Sequence, residues 1–219
     1  MVGRRCNKMK NLFIVGAGGF GREMFHWARQ HPDHGRLWQI AGFLDDKIGA
    51  LEGYHYLPGV LGTIRDYNPR PADLLLVAIA LPKIKKTVVE SLIQRGANFL
   101  TYIHPSVVVG GNVSVGRGSV VCPGAVITSD VAIGEFVTFN CCSSIGHDAC
   151  LGDFVTLSGH CDITGFCRVE EGAFFGSHAC MIPRTRVGAW ATVGAGSTVI
   201  MSVPEGVTVI GSPARRLVA

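Results

Sequence analysis

From Ile103 onward every sixth residue is apolar, and nothing else in the chain constrains its fold so tightly. The series runs Ile103, Val109, Val115, Val121, Ile127, Ile133, Phe139, Ile145, Leu151, Leu157, Ile163, Val169, Phe175, Met181, Val187, Val193 and Val199, seventeen positions without a break. The residue four places after each is small or β-branched, from Val107 through Ser119, Ala125, Cys161 and Cys167 to Val203. A short fixed period of this kind signals a β-solenoid, in which each hexad is one flat side and both marked residues point inward. Glycine often follows the aliphatic residue, as at Gly110, Gly146 and Gly194. The expected reason is relief of backbone strain at tight corners.

Residues up to about 102 follow a different pattern. Strand-like runs at 12–15, 40–44, 74–79 and 99–103 alternate with helix-like spacing at 22–30 and 84–95. Strands alternating with helices predict βαβ units and a parallel sheet. The expected fold is therefore an α/β, Rossmann-like domain over 1–102, followed by a parallel β-helix with a C-terminal segment over 103–219.

Composition narrows the function classes. Hydrophobic residues make up 47% and charged residues 16%, enough to build a core and too apolar for a disordered chain. The apolar runs are short, so no membrane span is expected. The opening MVGRRCNKMK lacks the apolar stretch of a secretory signal, and Met9 reads as a natural start preceded by an extension. The net charge of +4 resides in Arg4, Arg5, Lys8 and Lys10, leaving 16 basic and 16 acidic residues elsewhere. No basic face for nucleic acid is implied. The eight cysteines include no C-x-x-C pair, so neither a disulfide scaffold nor zinc is expected. They read as reduced, packed thiols of a cytoplasmic protein.

Two motifs carry chemistry. Gly16-x-Gly18-x-x-Gly21 follows a strand and opens a helix, where backbone N–H groups can meet an anion. Asp45 ends the next strand, where a carboxylate can accept hydrogen bonds from a ribose. Only about 100 residues precede the repeat. That is too few for a two-half dinucleotide fold plus a substrate domain, so NAD is the least favoured reading, behind a structural turn with no ligand. In the repeat, His147 lies two residues beyond inward Ile145, so its side chain should point outward next to Asp148. Such a histidine suits a general base, with the carboxylate fixing its tautomer. His160 and His178 differ by 18 and should stack on adjacent coils about 4.8 Å apart. An outward polar column is favoured there over a metal site.

The repeat resembles the hexapeptide-repeat acyltransferases. With the N-terminal domain it is similar to the bacterial bacillosamine- and perosamine-type sugar-nucleotide N-acetyltransferases and their sialic acid O-acetyltransferase relatives. The resemblance rests on Gly16-Ala17-Gly18-Gly19-Phe20-Gly21, Phe43-Leu44-Asp45-Asp46, Ile103-His104-Pro105, Ile145-Gly146-His147-Asp148 and Gly211-Ser212-Pro213-Ala214-Arg215. It implies a left-handed β-helix of triangular section, with three hexads per 18-residue coil and five to six coils. The implied activity is acetyl transfer from acetyl-CoA to the amino group, at C4, of a nucleoside-diphosphate-linked amino sugar used in surface polysaccharides. His147 would be the base, with Asp148 as its partner. Gly16, Gly18, Gly19, Phe20, Asp45 and Asp46 would bind the sugar nucleotide. Thr156, Gly165, Gly194, Pro213 and Arg215 would lie along acetyl-CoA, with Arg216 as an alternative phosphate contact. Some relatives carry a second histidine where Thr156 stands, so Thr156 departs from the pattern. Gly165, one coil after His147, would offer its N–H to the acetyl carbonyl. No metal is expected. The resemblance also implies a homotrimer with its site between subunits, and outward Val108, Phe154, Phe166, Phe174 and Trp190 suit an interface. O-acetylation of a sialic acid and a non-catalytic β-helical scaffold are the rival readings.

Overall fold

The computed structural model describes residues 9–217. The expectation that the residues before Met9 are an extension lies outside the described residues. Backbone contacts divide the chain into two units, one comprising the residues up to Ile79 with Val88–Leu100, the other Ala80–Thr87 with the chain from Thr101.

The first unit is a parallel sheet in the order β3-β2-β1-β4, made of β1 (Lys10–Val15), β2 (Trp38–Leu44), β3 (Val60–Gly62) and β4 (Asp73–Val77). Helix α1 (Gly19–Gln30) connects β1 to β2. It starts three residues earlier than its apolar spacing predicts, because the glycine turn itself opens the first helical turn. Leu12 and Ile14 of β1 are fully buried, as are Met24 and Ala28 of α1. Strand β3 has only three residues and no alternation to betray it. The expected strand over 99–103 divides instead. Phe99 bridges Leu75 of the first unit, whereas Tyr102–Ile103 pairs with Val120–Val121 in the repeat.

The repeat forms three sheets, parallel except where Arg215–Arg216 closes the first, and registered partners are 18 residues apart up to the last coil, as in Ser144 with Asp162. The first face carries Tyr102–Ile103, Val120–Val121, Thr138–Phe139, Thr156–Leu157, Phe174–Phe175, Thr192–Val193 and Thr208–Ile210. The second face runs from Val108–Val109 through Ser144–Ile145 to Thr198–Val199, and the third from Ser114–Val115 to Arg186–Val187. Inward Ile127, Phe139, Ile145, Leu157, Ile163 and Phe175 have no exposed surface, and Cys161 and Cys167 fill small positions among them. Burial pushes the Cys161 thiol up to about 11, so it stays protonated.

The glycines after the aliphatic residues have a reason other than the expected one. The left-handed backbone falls two residues later, at Asn112, Asp130, Asp148, His160, Phe166, Trp190 and their equivalents. The glycines are needed for approach between coils. A Cβ on Gly116 would lie 2.4 Å from the backbone of Gly134, and one on Gly146 would lie 2.6 Å from the nitrogen of Gly165.

The first face is covered by the segment Ala80–Thr87, which begins helix α2 (Pro82–Gln94). Lys85 is 1% exposed there, and its Nζ donates to Thr138 Oγ1 at 3.0 Å, Thr156 Oγ1 at 3.1 Å and the Val155 carbonyl at 3.3 Å. Desolvation pulls this ammonium down to about 7. Lys86 pairs with Glu171 at 2.6 Å, and its ammonium lies 5.3 Å from the Trp190 ring centroid. This packing corrects the expectation for the five outward apolar residues. Phe154 is buried against Phe136, Phe174 and Trp190 are half-buried, and of the five only Val108 and Phe166 are exposed.

Candidate active site

The nucleotide end is built by the turn after β1. Gly16 has φ +100°, and a Cβ there would lie 2.9 Å from the Ala78 carbonyl. A Cβ on Gly21 would lie 2.0 Å from the Gly16 carbonyl, so the third glycine is what lets α1 approach its strand. Gly18 and Gly19 border open space and are exposed, with Phe20 half-buried beside them. Gly18 is the N-cap of α1, no side chain caps it, and no acid lies in the first turn. The end of the helix therefore presents backbone donors and the positive end of its dipole to solvent.

Both aspartates are also structural. Asp45 accepts a hydrogen bond from the Ala17 N–H at 2.7 Å with one oxygen and from the Lys47 N–H at 2.8 Å with the other. It thereby fastens the glycine turn to the end of β2. Asp46 accepts from the Arg65 N–H at 3.1 Å. Two neighbours were not legible in the sequence: Arg22 lies 4.0 Å over the Tyr54 ring, and His26 Nε2 is 3.2 Å from the Tyr56 hydroxyl.

The second constellation sits on the corner that follows the second face of the repeat. His147 points outward, 57% exposed, and its Nδ1 is 2.8 Å from Asp148 Oδ2. A carboxylate accepts, so in the neutral ring Nδ1 carries the proton and Nε2 keeps its lone pair. One coil on, Gly165 faces the ring. A Cβ there would lie 2.8 Å from Nε2 and 2.9 Å from Cε1. The Gly165 N–H has no hydrogen-bond partner among the described residues. An unprotonated nitrogen and a free backbone donor thus share one open corner.

Thr156 does not join them. It is buried on the first face, where its hydroxyl donates to the Ala80 carbonyl at 2.7 Å and accepts from Lys85. The expectation that it takes a place along acetyl-CoA is corrected, because the hydroxyl is consumed by the covering segment. Gly194 belongs to the corner that follows the first face, and a Cβ there would lie 3.0 Å from Ile210. This chain does not bring it next to His147. Pro213 and Arg215 are exposed in the C-terminal segment, which reaches the far end of the second face through the Ala214 N–H and the Thr198 carbonyl, 2.8 Å apart.

His160 and His178 stack with centroids 4.8 Å apart and planes within 4°. Parallel rings present their nitrogens side by side and do not converge on one point. No group of three or more His, Cys, Asp or Glu that could hold a metal occurs among the described residues.

The same two-unit architecture occurs in known proteins. The PglD N-terminal domain family matches residues 11–92. GDP-perosamine N-acetyltransferase from Escherichia coli O157:H7 is 32% identical over 217 residues, covering 94% of this chain and 96% of that protein. The chain belongs to the hexapeptide-repeat sugar N-acetyltransferases. Among solved structures, WeeI from Acinetobacter baumannii AYE superposes with a TM-score of 0.84 at 30% identity, covering 95% of this chain and all of that one. The acetyltransferase domain of PglB from Neisseria gonorrhoeae FA1090, in complex with acetyl coenzyme A, gives 0.84 at 29% identity over the same shares. A mutant perosamine N-acetyltransferase from Caulobacter crescentus, in complex with CoA and GDP-perosamine, also gives 0.84, at 27% identity over 95% of this chain and 97% of that one. The repeat is accordingly a left-handed parallel β-helix, and the first unit is Rossmann-like.

Proposed function

We propose that the protein transfers the acetyl group of acetyl-CoA to the amino group at C4 of a nucleoside-diphosphate-linked amino-deoxy sugar, with His147 as general base. The observation that carries this reading is the His147–Asp148 pair standing over the free N–H of Gly165. The amine attacks the thioester carbonyl, and Nε2 takes the proton that the nitrogen must lose. Asp148, hydrogen-bonded at Nδ1, stabilises the imidazolium that forms. The Gly165 N–H would donate to the tetrahedral oxyanion as it develops. Collapse breaks the C–S bond, and the proton leaves on the CoA thiol, so the amide product and free CoA balance the acetyl donor and the amine.

In this reading the coenzyme lies along the second face. His147 follows Ser144–Ile145, the third of the six strands of that face. Thr198, to which the C-terminal segment is tied, lies three coils beyond Ser144. Three coils at ~4.8 Å span ~14 Å, a length suited to the pantetheine arm. Pro213 and Arg215 would then meet the nucleotide end of CoA, where a guanidinium suits a phosphate. Exposed Val108 and Val126 on the same face suit a second protomer, and a homotrimer would supply the second wall of the groove. The described cysteines are free, which fits a cytoplasmic enzyme of polysaccharide synthesis.

The glycine turn, the uncapped start of α1 and the Asp45–Asp46 pair would hold the sugar nucleotide. Asp45→Ala is expected to weaken its binding about tenfold or more, the loss of charged hydrogen bonds at the turn, and to leave acetyl-CoA affinity unchanged. Calorimetry with each ligand separately checks this. An equal loss for both ligands would contradict the assignment of the two ligands to different elements.

A further inference from the structure

Phe166 occupies a position that its residue type does not favour. The corner column beside His147 consists of Asn112, Asp130, Asp148, Phe166 and Arg184, with φ of 56°, 59°, 59°, 61° and 66°. Asn and Asp accept this left-handed backbone because their short polar side chains bond locally, whereas a bulky aromatic is disfavoured there. The other left-handed Phe and Trp residues stand on the next corner and are packed. Phe136 and Phe154 are buried against each other, and Trp190 fills the space over Gly172. Phe166 remains 41% exposed, so burial does not account for it.

Its contacts do. The Phe166 ring stands perpendicular to the His147 imidazole, at 88° with centroids 5.1 Å apart. The Arg184 guanidinium lies over the same ring, 4.3 Å from its centroid. The adjoining residue is Gly165, whose missing Cβ leaves room for Nε2. The single hydrogen bond from Nδ1 to Asp148 fixes one corner of an exposed imidazole but leaves rotation about that bond. A rigid aromatic wall against the ring removes that freedom.

We infer that Phe166, backed by Arg184, is a positioning residue that holds the His147 imidazole with Nε2 over the Gly165 N–H. A left-handed aromatic kept half in solvent is the kind of outlier that marks a functional constraint. The inference rests on His147 being the base, and its experiment separates the two. Phe166→Gly suits the backbone, since glycine accepts φ near +60°, so the variant keeps its fold and melting temperature. Its kcat should fall about 10- to 100-fold, the scale of a misplaced catalytic group. The KM for acetyl-CoA and for the sugar nucleotide should stay within about twofold. Phe166→Tyr, which restores the wall, should recover kcat to within about threefold. An unchanged kcat in Phe166→Gly, beside an inactive His147→Ala, would overturn the inference and leave the base in place. A raised KM for acetyl-CoA with kcat intact would also overturn it, by making Phe166 a coenzyme contact. A fully active His147→Ala would remove the base itself and the inference with it.

Discussion

His147→Ala is expected to lower kcat by about 10²–10⁴ while the protein folds as before, the usual loss when a general base is removed. The reasons lie on both sides of the side chain. Outward and 57% exposed, it contributes nothing to the packed interior, so its removal should change stability by no more than about 0.5 kcal/mol. Its Nε2 is the only unprotonated ring nitrogen on that corner, because Asp148 holds the proton on Nδ1. No neighbour on the column replaces it, since Ser129 and Pro183 stand one coil before and two coils after. Residual turnover is expected from the Gly165 N–H and from bound, aligned substrates. Steady-state kinetics and a thermal melt on one preparation check both halves. Near-wild-type kcat would remove His147 from the chemistry, and a large loss of melting temperature would make it structural.

Gly165→Ala is the second large effect, and it comes from one methyl group. Gly165 does not have a left-handed φ, so alanine meets no backbone strain there. The new Cβ would nevertheless lie 2.8 Å from His147 Nε2 and 2.9 Å from Cε1. The imidazole is 57% exposed and can be pushed outward off the Phe166 ring, so relieving this clash costs little stability. Catalytically it is expensive, because the base moves off the acetyl site and the methyl group takes up space beside the donor N–H. We expect kcat to fall about 100-fold, with stability within about 0.5 kcal/mol of the parent protein. Wild-type kcat would mean that the ring does not work from the position seen here. Gross destabilisation would mean that the ring cannot leave it.

The sequence made the β-helix readable because both inward positions of every hexad are restricted, and a six-residue period leaves no other interpretation. Once the resemblance supplies three hexads to a coil, the adjacency of His147 and Gly165 is readable too, since residues 18 apart then stack. What the sequence hid was the fate of the outward positions. Nothing in the helix-like spacing at 84–95 marks Lys85 as buried, yet it lies on Thr138 and Thr156. A signal was present. The outward column Val120, Thr138, Thr156, Phe174 is uncharged throughout, whereas the third face shows Arg168 and Arg186. An 18-residue comparison of outward residues marks the covered face and would have removed Thr156 from the coenzyme site. The purpose of the glycines was hidden for a related reason. Close approach of one coil to the next is a property of the stacked backbone, and the hexad itself gives no sign of it. At the nucleotide end the motif gave the turn, but it did not show that the Asp45 carboxylate is the clamp that holds the turn in shape.

The central claim is acetyl transfer to an amino sugar carried on a nucleotide, and release of CoA thiol tests it most directly. Wild-type protein would be mixed with acetyl-CoA and, in turn, with UDP-, dTDP- and GDP-linked 4-amino sugars, with free amino sugars and a sialic acid as the other arms. The account predicts fast thiol release with one nucleotide-linked 4-amino sugar, an N-acetylated product by mass, and little release in the other arms. Thiol release with a sialic acid and with none of the nucleotide-linked amino sugars would contradict it.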